Sequence, residues 1–211
     1  FNMAITDTNK TINFYENNKK NLSSIIFKNK SKLIKIDSST IDSFFSKNDI
    51  EDPIIIKFDI EGAEYELLKG ALKTLLSKKI FYLVFELHPT EYSKESRNIK
   101  SIIKTLFNNG FNTLFVESAL LPIPNIFKEE NLKPFLVRNN RGLYNNISNE
   151  FILQNAFDKK YEFRYPSWTN CKYMVSNKSI RSICLTSTSI YLHILVLLFM
   201  IQPKVLFLTV T

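Results

Sequence analysis

Four ionisable side chains sit at the ends of two strongly apolar runs. Asp59 and Glu61 close Ile54-Ile-Ile-Lys-Phe-Asp-Ile60, and Glu86 and His88 close Ile80-Phe-Tyr-Leu-Val-Phe-Glu-Leu87. An ionised carboxylate among Ile and Phe is costly unless it is paired, hydrogen-bonded or at a strand mouth. Carboxylates in that position can orient a polar substrate. An imidazole titrating near neutrality suits proton removal from a hydroxyl or water. Asp59 and Glu86 with His88 would also make an oxygen-and-imidazole ligand set for a divalent cation, although the reading adopted here needs no metal. Each residue has a plainer explanation too. Lys57 shares a face with Asp59 in a two-residue period and offers a structural ion pair. Glu61 and Glu64 suit the first turn of a helix, and a lone histidine is often structural.

The elements that would position these groups form a regular series. Ser38-Ser-Thr40 offers N-cap candidates for a short helix carrying Ile41, Phe44 and Phe45. The continuous apolar runs 54–60 and 80–87 have the character of strands buried on both faces, as in a parallel sheet. Between them Ala63, Leu67, Leu68, Ala71, Leu72, Leu75 and Leu76 form one apolar stripe at helical spacing. Glu61, Glu64 and Glu66 near its start and Lys78 and Lys79 at its end complement the helix dipole. Ile99, Ile102, Ile103, Leu106 and Phe107 mark a second amphipathic helix, stopped by Asn109-Gly110. Phe111–Glu117 reads as a third strand. The series predicts an α/β fold with a doubly wound, mostly parallel sheet, whose ligands bind outside the carboxyl ends of the strands. Thr11–Tyr15 suits a hairpin strand, residues 143–160 a helix, and Lys172–Ser176 a last strand.

Composition narrows the function. The chain has 211 residues, 45% hydrophobic and 23% charged, with a net charge of +8. That profile excludes a disordered or fibrous chain. The lysines are scattered without a basic run or interleaved aromatics, so no nucleic-acid partner is expected. Two cysteines, Cys171 and Cys184, cannot build a disulfide framework or a cysteine zinc site. Only four glycines are present, and no two are close enough to make a glycine-rich nucleotide loop.

The tail is unusual. Residues 183–201 carry no formal charge, which just meets the length of a membrane span. Serine and threonine crowd its first half, however, and His193 lies near its middle. A membrane anchor, a final core strand with a tail, and sequence foreign to the domain, such as a frame-shifted end, all fit. The absence of a signal peptide and the few cysteines point to the cytoplasm.

Three segments carry a resemblance to a known family. Thr40-Ile-Asp-Ser-Phe-Phe is followed by Ile54-Ile-Ile-Lys-Phe-Asp-Ile-Glu-Gly-Ala-Glu-Tyr-Glu-Leu-Leu-Lys-Gly-Ala71, and then by Leu83-Val-Phe-Glu-Leu-His88. In order and spacing they resemble the FkbM methyltransferases, which show a T-L-D element, a K-I-D-x-E-G-A-E block running to L-x-G-A, and a strand ending E-x-H. The resemblance spans Phe1 to Ser118 and, more weakly, extends to Asn177. It implies a class I, Rossmann-like fold, S-adenosylmethionine as cofactor, and methyl transfer to a hydroxyl of a sugar, lipid or natural product. The partner is then a small-molecule or glycan acceptor.

The resemblance also implies what is missing. The family's glycine-rich cofactor loop and its ribose-binding acid have no counterpart in this chain. On that register Phe1–Asp7 corresponds to the third strand. Residues 1–178 are then expected to be an N-terminally truncated domain that keeps the acceptor side, and 179–211 an apolar tail. Asp7 is the cofactor-side candidate. Asp59 and Glu61 are suited to orient the acceptor, and Asp59 also to hold the charged end of the cofactor. Glu86 and His88 would serve the same crevice, with His88 as base. The competing reading is a non-catalytic α/β module that binds a partner, or a membrane through residues 183–201.

Overall fold

The computed structural model describes residues 3–16, 32–50, 54–58, 60, 62–77, 80–85, 87, 98–120, 126–138, 140–157, 164–170 and 206–210. Strands β1 (Ala4–Ile5), β2 (Thr11–Glu16) and β3 (Lys32–Ser39) form a small sheet in the order β1-β3-β2. β1 runs parallel to β3, whereas β2 and β3 pair antiparallel from Thr11↔Asp37 to Glu16↔Lys32. The strand expected at Thr11–Tyr15 is thus present. Residues 6–10, between β1 and β2, are braced by β3: the Ser38 hydroxyl donates to the carbonyls of Thr8 and Lys10. The Asn9 side-chain oxygen accepts from the Thr40 N–H.

Helix α1 (Ile41–Asn48) begins where the sequence places it, with the Thr40 hydroxyl accepting from the Ser43 N–H at 3.0 Å. Then come β4 (Ile54–Phe58), α2 (Glu64–Gly70), α3 (Leu72–Leu76), β5 (Ile80–Phe85), α4 (Ile99–Asn108) and β6 (Phe111–Ala119). The chain continues through α5 (Ile126–Glu129), β7 (Leu136–Arg138), β8 (Arg141–Asn145), α6 (Asn149–Asn155), β9 (Arg164–Asn170) and β10 (Leu206–Val210).

The apolar stripe expected to make one helix makes two. The backbone leaves helical geometry at Ala71, with φ −108° and ψ 0°. Such a break strands N–H groups at the start of the next helix, and Asp42, from α1, takes two of them. Its carboxylate accepts from Thr74 N at 2.7 Å and from Lys73 N at 3.1 Å. The Thr-Ile-Asp segment therefore has two structural tasks: Thr40 caps its own helix, and Asp42 caps a different one. Asp42→Ala is expected to cost about 1–2 kcal/mol. Asp42→Asn, which keeps one acceptor oxygen, should lose less. Urea midpoints of the two variants check this order.

The described strands β4 to β10 form a seven-stranded sheet in the order β10-β4-β5-β9-β6-β8-β7. β10-β4 and β4-β5 are parallel, and the other four pairings are antiparallel. The sheet is therefore mixed where a mostly parallel one was expected. Among the described strands of this sheet, only β4 and β5 are chain-consecutive and side by side in parallel. β9 then inserts between β5 and β6, and β7 and β8 return as a hairpin. β9 carries Pro166, which cannot donate to a ladder. The β6–β9 register shifts between Phe115, opposite Ser167, and Glu117, opposite Arg164, so the proline falls in the irregular stretch. Arg141 in β8 pairs with Glu117 in β6 at 3.2 Å.

All six described helices contribute to one hydrophobic cluster. It includes Ile41, Leu67, Leu75, Ile103, Phe127 and Ile152, and it meets the sheet at Ile56, Phe58, Leu83 and Phe85. These four share one phase of the strand period, while Ile55, Lys57 and Val84 alternate to the other face. The described helices share their cluster with the Ile56, Phe58, Leu83 and Phe85 face, while Ile55 on the other face is buried as well. The helix expected over 143–160 is shorter, because residues up to Asn145 belong to β8 and only Asn149–Asn155 are helical. The strand expected at Lys172–Ser176 and the apolar stretch 183–201 lie outside the described residues. Among those described, no helix is long and apolar enough to cross a membrane. Within the tail, Leu206–Val210 is the described part, and it joins the sheet as β10, parallel to β4.

Candidate functional site

Of the five residues singled out from the sequence, Asp7 is among the described residues, and Asp59, Glu61, Glu86 and His88 are not. What the structure provides is the scaffold around those four. β4 and β5 end level: Phe58 and Phe85, which precede Asp59 and Glu86 in the chain, are register partners. Their rings stack at 4.7 Å between centroids and 14° between planes, and both are fully buried. Leu87, between Glu86 and His88, is also buried. Lys57 is half-buried on β4, and the structural ion pair considered for it involves Asp59, outside the described residues.

Beyond β4 the turn into α2 contains Gly62, at φ 80°, and Ala63, the N-cap of α2. That φ is a left-handed value which glycine adopts without strain. Glu64 opens α2 with no solvent exposure, and its carboxylate accepts from the Gly62 N–H at 3.3 Å. A sequence reading that treats Glu64 as one more first-turn acid misses this burial. Its signal was available, since Glu64 stands on the apolar side of α2 with Leu67 and Leu68.

The far end of α2 meets the loop after β1. Lys69 Nζ donates to the Asp7 carboxylate at 2.9 Å and lies 5.9 Å from the centre of the Tyr65 ring. Gly70 packs directly on the Thr6 carbonyl. Asp7, the cofactor-side candidate, therefore has a structural partner while staying partly accessible.

The hydrogen bond to Asp7, and then its charge, hold the Lys69 pKa above the ordinary 10.5. The folded state thus favours protonated Lys69. The contribution is complete below pH 10.5 and is lost as pH rises through the elevated value. Because the pair is solvent-accessible, a double-mutant cycle of Asp7→Asn and Lys69→Met should give a coupling of only about 0.2–1 kcal/mol at neutral pH. That coupling should shrink with added salt and vanish well above pH 10.5.

Among the described residues no three or more His, Cys, Asp or Glu side chains come together as a metal site. The metal-assisted variant involves Asp59, Glu86 and His88, which are not described.

In an α/β domain ligands bind outside the carboxyl ends of the strands, and here the neighbouring parallel strands β4 and β5 end level, with acids and a histidine following in the chain. The family is then given by comparison: the methyltransferase FkbM domain matches residues 2–113, more than half of the 211-residue chain. The protein belongs to that family. Comparison with curated proteins and with solved structures gave no match. The matched range contains the Thr-Ile-Asp segment, the Lys57–Ala71 block and the strand leading to His88.

Proposed function

We propose that this protein takes part in methyl transfer from S-adenosylmethionine to a hydroxyl oxygen of a sugar, lipid or natural product. The observation that carries the reading is the family match, whose range contains all three motif blocks in order. The level ends of β4 and β5 support it, because strand ends side by side suit the alignment of two reactants. On this reading the parallel strands β10, β4 and β5 are part of a doubly wound, class I Rossmann-like sheet.

When bound, S-adenosylmethionine supplies an electrophilic methyl group on a sulfonium centre. The described residues fit that group only in part. The sequence holds no glycine-rich nucleotide turn, whereas the Asp7 carboxylate, assigned here to the donor side, stays partly accessible beside Lys69. Asp59 is assigned to orient the acceptor or hold the charged end of the donor. Glu61 and Glu86 help to orient the acceptor hydroxyl, and His88 takes its proton.

Calorimetric titration of the full-length protein with S-adenosylmethionine tests the reading, followed by transfer of a labelled methyl group to hydroxylated acceptors. Saturable binding is expected, and His88→Ala should keep it while lowering transfer by roughly 10²–10⁴-fold. Asp59→Ala should weaken binding or transfer. Absence of binding by the full-length protein overturns the proposal in favour of a non-catalytic partner-binding module.

A further inference from the structure

Glu64 is buried more deeply than its position in the helix requires. An acid in a first turn interacts with the helix dipole from a partly exposed position as well, and Glu66 supplies that effect in the same turn. A fully buried carboxylate is costly unless its oxygens find hydrogen-bond donors. The direction of the side chain shows what the burial achieves. It folds back past the N-cap, Ala63, and accepts from the backbone N–H of Gly62. Gly62 is itself buried and sits at φ 80°. Glu64 thus holds the turn at the Gly62 N–H, where the backbone has a conformation that an L-residue adopts only with strain. In the chain that N–H comes directly after Glu61 and three residues after Asp59.

We infer that Glu64 is a positioning residue: its buried carboxylate latches the β4–α2 turn and so sets the backbone on which Asp59 and Glu61 are carried. The inference rests on the methyltransferase reading above. It separates Glu64 from a helix-dipole acid, for which only charge would matter, because a latch depends on reach. Glu64→Asp keeps the charge but is one methylene too short to meet Gly62. Glu64→Gln loses the charge but keeps both the reach and an acceptor oxygen.

The test uses the full-length protein and both variants. Amide hydrogen exchange at Gly62 is read together with S-adenosylmethionine affinity by calorimetry, and thermal melting controls for folding. Glu64→Asp should speed Gly62 exchange and weaken donor binding, each by on the order of tenfold, with α4 amides unchanged. Glu64→Gln should stay close to the parent in both. Unchanged Gly62 exchange in Glu64→Asp overturns the latch. Faster exchange with unchanged affinity overturns the positioning role and leaves Glu64 purely structural. If Glu64→Asp does not fold, the Gln variant decides, since weakened donor binding with Gly62 exchange intact also overturns the proposal. Should the parent protein bind no donor, the methyltransferase reading and the positioning role fall together, while exchange at Gly62 still reports whether the latch exists.

Discussion

Phe58→Ala and Phe85→Ala are each expected to cost about 3–5 kcal/mol, the range for removing a fully buried phenylalanine. Neither ring has any solvent exposure, and both lie where the helices meet the sheet. The two positions are register partners in the parallel β4–β5 pair, so removing one ring also takes away the stacking partner of the other. The surrounding strands and helices cannot collapse into the gap without breaking the ladder that aligns them, which places the loss in the upper part of the range. A double-mutant cycle should give a coupling of about 0.5–1.5 kcal/mol beyond burial, as found for aromatic pairs. Phe58→Leu and Phe85→Leu, which retain most of the apolar volume, should be much milder. Urea unfolding measures all of these. A loss near 1 kcal/mol for either alanine variant would mean that the stacked pair does not hold the strand ends together.

Gly70→Ala is the second large effect, and here even the sign is informative. Alanine is about 1 kcal/mol better than glycine inside a helix, so local propensity alone predicts a gain in stability. The packing predicts a loss. A β-carbon at residue 70 would run into the Thr6 carbonyl oxygen and lie 3.0 Å from the Asp7 Cα. Both atoms belong to the backbone of a loop braced by Ser38 of β3 and by Thr40, the N-cap of α1, so neither can swing aside as a side-chain tip would. Net destabilisation of about 1–3 kcal/mol is expected, and the Asp7–Lys69 coupling should disappear with it. A stabilised Gly70→Ala variant would show that α2 and the β1 loop are not in close contact in solution.

These two sites show how far local pattern reaches. The apolar runs 54–60 and 80–87 announced β4 and β5 because a short continuous apolar run rich in β-branched and aromatic residues signals a strand even without alternation. Thr40 announced the start of α1 because its cap lies within three residues. The break at Ala71 was not visible, because the stripe Leu67–Leu76 keeps helical spacing across it. What caps the helix that restarts after the break is Asp42, whose partners lie 31 and 32 residues away. β7, β8 and β9 escaped for a different reason. β7 has three residues, β8 is the polar-flanked Arg141-Gly-Leu-Tyr-Asn145, and β9 contains proline, so they gain strand geometry from neighbours rather than from their own sequence.

The site divides in the same way. The positions of Asp59, Glu61, Glu86 and His88 at the ends of apolar runs were readable from residue type alone. The supports were not. Glu64 looked like a helix-dipole acid until its burial was known, and Gly70 like an ordinary helix position until the Thr6 carbonyl was found against it. Lys69 belonged to a scatter of surface lysines, and only the tertiary fold pairs it with Asp7.

The pairing of β10 with β4 has a temporal side. Leu206 lies opposite Ile54, so the two halves of that ladder are made roughly 150 residues apart. At ribosomal rates of about 5–20 residues per second, β4 is synthesised on the order of 8–30 s before its outer partner exists. During that interval the Ile54–Phe58 edge is an apolar strand with one row of backbone groups unmet, the kind of edge on which chains associate wrongly. A nascent-chain holdase that shields the edge until Leu206–Val210 has emerged should therefore raise the yield of native protein, and slowing translation between the codons of Phe58 and Leu206 should lower it.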